Sequence, residues 1–387
     1  MKFRVPRSIL ALPLLLTCFV ASPWPATAQD EGIDLVEQPA MGEGGVETFS
    51  IQKSIQAQGT TGAELSSDVT IAVTSDLHVR DANIKANRRM VEAVNRLPHV
   101  SFVAITGDLC DKIGTEEEYQ RLEKLLAGFE DPILAVPGNH DFMYRDYFNK
   151  NGDKIRGTPE GKRAKLERFR KAVKLKSIRY ARKMGGHLLV FLPTDELDSK
   201  PLTELSDATM KFFRETLAAN PKMPTIVFCH APLAKSYERE TNLGVLQPEN
   251  KIRELLKDNP QVFLWVAGHL HIRAGQKDFH SDANKVGKVT GIHVSAVTGD
   301  TPWIRLLKLT PEAAVVRTYN VETKKFIPAF ERTFKHKASS GTTPGGSVPP
   351  KTDDGLKSLQ DRIDALFDKL DQLYEKTCKL LKKLFDL

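Results

Sequence analysis

Five apolar runs in this 387-residue chain each stop at residues that bind metal ions or move protons. They are Asp76 and His78, then Asp108 with Asp111, then Asn139, His140 and Asp141, then His230, and last His269 with His271. Carboxylate, amide and imidazole ligands without thiolates suit Mn, Fe or Zn, and they outnumber what one ion needs. Two ions a few ångströms apart can share a carboxylate and a hydroxide, and so clamp the attacking and leaving oxygens of an in-line displacement at phosphorus. An imidazole beside such a pair can protonate or steady the leaving oxygen. One histidine after a strand is ordinarily a satisfied surface or core residue, but several clusters at successive strand ends are hard to explain as packing. The remaining histidines keep the ordinary reading: His99, His280 and His336 fall in loops or linker, His187 opens a strand and His293 lies inside one.

Convergence of these residues requires strands whose carboxyl ends share one edge, as in open α/β sheets. The near-continuous apolar runs at 69–74, 101–105, 133–136, 187–192, 225–228 and 262–266 predict strands covered on both faces. Between them, helical spacing predicts helices over about 83–96, 115–129, 206–219 and 250–258. Thr115 with Glu118 three residues later reads as a capping box. Shorter runs at 291–297, 303–309 and 314–319 predict a hairpin-like finish.

The flanks have their own character. Lys2, Arg4 and Arg7 precede an apolar run from Ile9 to Ala21, and Ala26-Thr27-Ala28 fits a cleavage site before Gln29. This predicts a signal peptide over 1–28 and an exported chain, periplasmic or extracellular. Lipoprotein processing at Cys18 fits less well, and a retained membrane anchor is disfavoured. Residues 29–67 are polar and aperiodic, a flexible leader. Removal of the signal peptide, with Cys18, leaves Cys110, Cys229 and Cys378, an odd number, so at least one thiol is free or bridges two chains. The net charge of +7 is local in origin: residues 142–186 hold 15 Lys and Arg against 4 Asp and Glu. This insertion reads either as a solvated surface or as a collar drawing an anionic substrate, and it contains no recognisable nucleic-acid module. Residues 335–352 are a Gly, Ser, Thr and Pro linker. Beyond it, Leu356, Leu359, Ile363, Leu366, Leu370 and Leu373 begin a heptad seam running to Leu387. That predicts a coiled-coil helix over 353–387 and a homo-oligomer assembled through 356–387.

Asp76-x-His78, Gly107-Asp108-x-x-Asp111, Gly138-Asn139-His140-Asp141, His230 and Gly268-His269-x-His271 together resemble the signature of the calcineurin-like metallophosphoesterases. The resemblance implies a four-layer α/β/β/α sandwich over 68–334 with a dinuclear site at one edge. By that likeness Asp76, His78, Asp108 and His271 hold one metal, and Asp108 bridges to a second completed by Asn139, His230 and His269. His140 becomes the catalytic imidazole, with Asp141 orienting it. Purple acid phosphatases place a tyrosine where Asp111 stands, and the motif style is closer to the bacterial cyclic-nucleotide phosphodiesterase-like branch. The expectation is a metal-dependent hydrolase of a phosphomonoester or phosphodiester, acting through a hydroxide held between two Mn, Fe or Zn ions. The competing class is a binding or scaffold protein on the same fold, assembled by its coiled coil.

Overall fold

A computed structural model describes residues 46–47, 68–237, 244–297 and 302–336. In chain order its strands are β1 (Val46–Glu47), β2 (Val69–Thr74), β3 (Phe102–Thr106), β4 (Ile133–Val136), β5 (Tyr144–Phe148), β6 (Lys154–Arg156), β7 (Tyr180–Met184), β8 (His187–Leu192), β9 (Thr225–Cys229), β10 (Val262–Ala267), β11 (Lys285–Val286), β12 (Val289–His293), β13 (Trp303–Thr310), β14 (Ala313–Asn320), β15 (Lys325–Phe326) and β16 (Arg332–Lys335). The helices are α1 (Ile84–Arg96), α2 (Glu116–Leu126), the single turn α3 (Asn139–Phe142), α4 (Pro159–Ala172), α5 (Asp207–Ala218) and α6 (Glu249–Asp258). Two large sheets result, one ordered β1-β7-β8-β9-β10-β12-β11 and the other β15-β14-β13-β2-β3-β4, with β16 beside β14.

The side-chain period of two explains the layering. On β8, Leu188, Val190 and Leu192 pack with Met210, Phe213 and Leu217 of α5 and with Ile252 of α6. The alternate residues Leu189 and Phe191 join Ile71, Val103 and Ala135 of the facing sheet. Phe191 stacks between Tyr180 and Phe228, each ring centroid 4.7 Å away. Tyr180 Oη donates to Ala135 O at 3.0 Å, a direct bond from one sheet to the other. Met90 and Val94 of α1 and Leu122 of α2 cover the far side of the second sheet. This is the expected α/β/β/α sandwich. A fully buried apolar side chain of this size contributes about 1.5–3 kcal/mol, so both strand faces stabilise the fold, and that accounts for the unbroken apolar runs.

Register then sets the site edge. β2, β3 and β4 run parallel, with Thr74 opposite Ile105 and Thr106 opposite Val136. β8, β9 and β10 are parallel in the other sheet. All their carboxyl ends emerge on one side. The two edges are stitched by Val297 N to Asp76 O at 3.1 Å and a bridge between Ser75 and Ala296, while Gly268 N to His230 O at 3.0 Å joins the β9 and β10 ends within one sheet.

Several boundaries differ from the sequence expectation. Thr115 Oγ1 accepts from Glu118 N at 3.3 Å, as a cap should, but the Glu118 carboxylate turns back to Ile113 N and Gly114 N at 3.2 and 2.8 Å. The reciprocal half of the box is thus spent on closing the preceding loop. The helix in the basic insertion runs from Pro159 to Ala172 and stops just before Lys174, which adopts a φ of +55°. The insertion is more than a solvated face: Leu166 and Phe169 are buried in the main core, and Lys162 and Lys165 are buried, their ammonium groups donating to Leu197 O and Ile113 O. Two leader residues, Val46 and Glu47, pair in parallel with Ala181 and Arg182, so the leader contributes a short strand. Lys335, expected in the linker, pairs with Ala313 in β16. Otherwise the signal peptide, the leader, the linker beyond His336, Cys378 and the coiled-coil helix lie outside the described residues. Cys110 and Cys229 are buried free thiols whose burial raises their pKa, that of Cys229 to about 12, in keeping with their reading as small hydrophobes.

Candidate active site

Each ligand-bearing loop turns sharply where its strand stops. Nine described non-glycine residues have positive φ, and five of them are Asp76, His78, Asp108, His269 and His271. Holding an L-residue there costs roughly 1–2 kcal/mol. Neighbouring bonds impose it: Asp76 N donates to Gly107 O at 2.9 Å and His78 N to Asp108 O at 3.0 Å. Asn83 Nδ2 gathers Leu77 O, His78 O and Val297 O at 3.0, 3.1 and 2.9 Å. Two glycines permit the close approach: a Cβ on Gly138 would collide with the Asp108 carboxylate, and one on Gly268 with Ser75 Oγ and the Asp76 carboxylate.

Two ligand sets result. Asp76, His78, Asp108 and His271 offer atoms all within 4.8 Å of one another, as do Asp108, His230 and His269. Asp108 belongs to both, its Oδ2 lying 3.7 Å from His78 Nε2 and 3.3 Å from His230 Nε2. Asn139 Oδ1 is 3.3 Å from His230 Nε2, at the second set. Asp76 Oδ1 is 3.2 Å from His271 Nε2, and both Asp76 oxygens accept from His269 N, at 3.2 and 3.0 Å.

The donor chemistry fits metal ions. His78 Nδ1 lies 3.0 Å from Asp111 O, and His230 Nδ1 lies 2.8 Å from Thr106 O. A carbonyl only accepts, so each Nδ1 carries a proton and each Nε2 is the nitrogen turned inward. Those inward nitrogens face His271 Nε2 at 3.0 Å and His269 Nδ1 at 3.1 Å. Ring nitrogens so close share a proton, or a metal ion in its place. Burial opposes charge on His230, yet Asp108 and Asp76 outweigh it and push its pKa up to about 9. Burial and the His230 charge hold His269 down at about 3. Burial would likewise raise Asp108, but the surrounding imidazoles hold it well below the ordinary carboxylate value. The pocket draws positive charge and supplies oxygen and nitrogen ligands for it.

His140 stands beside these sets, its ring centroid 4.7 Å from that of His78. Its Nδ1 lies 2.8 Å from Asp111 O, and its Nε2 lies 3.1 Å from Lys154 Nζ. Burial, with the charges of His78 and Lys154, lowers its pKa to about 4, so the ring is neutral near pH 7. The expectation that Asp141 orients His140 is corrected here. The Asp141 carboxylate accepts from Leu109 N and Cys110 N at 2.9 and 2.8 Å through Oδ1, and from Gly138 N at 2.8 Å through Oδ2. It ties the β3 loop to the β4 turn, because a buried acceptor goes to the nearest orphan backbone donors. Burial and the Asp108 charge raise its pKa to about 7 against the bonds from Cys110 N and Gly138 N. The orienting group for His140 is the Asp111 carbonyl, which also serves His78, and the Asp111 side chain is held by Arg80 at 2.8 Å.

Sequence reasoning missed Asn83, the Asp111 carbonyl and Lys154. A backbone acceptor has no residue-type signature, and Lys154 is one of fifteen cations in its segment. Only the overall basicity pointed there.

Residues 69–273 match the family described as calcineurin-like phosphoesterase. A 3′,5′-cyclic adenosine monophosphate phosphodiesterase of Haemophilus influenzae is 23% identical over 169 residues, covering 44% of this chain and 54% of its own. The chain thus spans about half the length of that relative. A glycerophosphodiester phosphodiesterase of Enterobacter lignolyticus is 26% identical, covering 52% of this chain and 70% of its own. A 3′,5′-cyclic-nucleotide phosphodiesterase of Nostoc is 24% identical, with coverage of 62% and 88%. The matched stretch, 69–273, runs from the first site strand through both ligand sets and just past His271. By that match, with the sandwich and the ligand sets at its edge, this chain belongs to the calcineurin-like phosphoesterase family.

Proposed function

We propose that the chain hydrolyses a phosphoester by in-line displacement, with His140 on the leaving-group side. The observation that carries this is Asp108, whose one carboxylate belongs to both ligand sets while its Oδ1 accepts from His140 N at 2.8 Å. Metal ions bound there supply Lewis-acid charge to the phosphoryl oxygens and acidify the attacking water. The chain's own residues do the rest. Asp76, His78, Asp108, Asn139, His230, His269 and His271 form the holding cage. The Asp111 carbonyl keeps the His140 proton on Nδ1 and leaves Nε2 as an acceptor, 3.1 Å from Lys154 Nζ. Asp141 fixes the turn that carries both Asn139 and His140. The basic insertion begins one residue after Asp141, so its surplus of cations lies where an anionic substrate would approach.

The names of the relatives favour a phosphodiester over a phosphomonoester. Metal analysis together with hydrolysis of bis- and mono-p-nitrophenyl phosphate tests the proposal. The expected result is about two Mn, Fe or Zn ions per chain, with the diester cleaved faster and activity lost on chelation. A metal-free, inactive chain would leave the binding-protein reading in its place. The same proposal includes export and self-association through residues 356–387, supported by the basic-apolar start and the leucine seam. Native mass spectrometry of the exported protein checks both: a chain beginning at Gln29, in an oligomer that falls to a monomer when 353–387 is deleted. An unchanged mass on deletion would count against the seam.

A further inference from the structure

The hairpin of β5 and β6 continues directly from the catalytic turn α3, and it is anchored at both ends. Gly157 N donates to Met143 O at 3.0 Å, and Arg156 donates to Lys200 O and Pro201 O at 2.9 and 3.2 Å. Lys165, from α4, pairs with Asp146 of the same hairpin at 2.7 Å. Two residues before the Arg156 clamp, Lys154 extends over the Tyr144 ring, its Nζ 5.1 Å from the centroid, and ends 3.1 Å from His140 Nε2. His140 has its proton on Nδ1, so in this pair Lys154 is the donor and Nε2 the acceptor. An ammonium has three N–H groups and only one is used on His140. Among the described residues no carboxylate pairs with Lys154. A cation directed at the face of the site that His140 occupies, with no carboxylate in contact with it among the described residues, is arranged for an anion that arrives with the substrate.

We propose that Lys154 is a catalytic residue, its ammonium donating to the leaving-group oxygen of the phosphoester as the P–O bond breaks. This rests on the phosphoesterase reading above and assigns the leaving-group subsite within it. Water supplies the new oxygen on phosphorus and loses one proton to solvent. The P–O bond to the alcohol breaks with its electron pair on oxygen, which takes a proton from Lys154 Nζ, and solvent then reprotonates the amine. His140, accepting from Lys154 before substrate binds, holds the ammonium in place for that oxygen. Partial burial lowers the lysine pKa from its ordinary value, which makes the ammonium a better donor.

The test compares the methyl phosphodiesters of phenol and of p-nitrophenol in the metal-loaded full chain, with Lys154→Met, Lys154→Gln and, as a control for general charge, Lys150→Met at the hairpin turn. A nitrophenolate leaves without help, whereas a phenolate needs a proton or a cation, so the loss should scale with leaving-group basicity. For both Lys154 variants the expected result is unchanged metal content, kcat within about threefold for the nitrophenyl ester and about 30-fold or more lower for the phenyl ester. Lys150→Met should move neither ratio. Equal losses on the two esters, no loss on either, or the same pattern in Lys150→Met would overturn the assignment of Lys154 while leaving the phosphoesterase reading intact. A wild-type chain that cleaves neither ester would overturn that reading, and this inference with it.

Discussion

Replacing Asp108 with alanine should empty both metal positions together and lower phosphoester hydrolysis by at least about 10³-fold. The carboxylate is fully enclosed, and its Oδ2 stands between His78 Nε2 at 3.7 Å and His230 Nε2 at 3.3 Å. Removing it takes a ligand from each set and the counter-charge from His230. It also strips the acceptor from His140 N, so the catalytic turn loses a bond at the same moment. Asp76→Ala should be less sweeping, because Asp76 belongs to the first set alone. Elemental analysis of the purified variants, with turnover of bis-p-nitrophenyl phosphate, separates the two. An Asp108→Ala chain that retains about two ions and turns over within tenfold of wild type would show that the carboxylate is not shared.

His140→Gln should behave differently, losing about 10²–10⁴ in kcat on a phenyl diester, whose leaving oxygen needs assistance, while keeping its full complement of metal. His140 belongs to neither ligand set. Its ring contacts are the Asp111 carbonyl, Lys154 and the edges of His78 and Tyr144. Its backbone N–H bond to Asp108 survives the substitution, and so the carboxylate between the sets keeps its place. Loss of metal in this variant, measured on the same preparations, would move His140 from the chemistry to the scaffold. The contrast between the two variants matters more than either alone. Ligand loss and leaving-group loss both abolish turnover, but only one of them changes metal content.

Much of the architecture was legible before any coordinates. Strands 69–74, 133–136 and 187–192 appear with the predicted bounds, because strands buried on both faces are written as unbroken apolar runs. The helix patterns at 83–96 and 206–219 shortened by a residue or two at their ends, where capping geometry rather than periodicity decides. The insertion was legible only as charge. Its four acidic residues did not reveal that Asp146 would anchor Lys165 and Arg168, nor did its fifteen cations show which one would reach His140.

By itself the sequence determined which residue types sit at the ends of which strands, and hence that carboxylates, an amide and imidazoles would gather at one edge. That much follows from chain direction, since parallel strands place all their carboxyl ends on one side. Tertiary structure alone decided which atoms meet. The sharing of Asp108 depends on its left-handed turn and on the space left by Gly138. The orientation of His140 depends on a main-chain oxygen, which every residue carries and none advertises. Asp141 shows the limit most clearly. It lies next to His140 in the chain, yet α3 points its carboxylate to the backbone of the neighbouring loop, because three buried N–H groups there had no other acceptor.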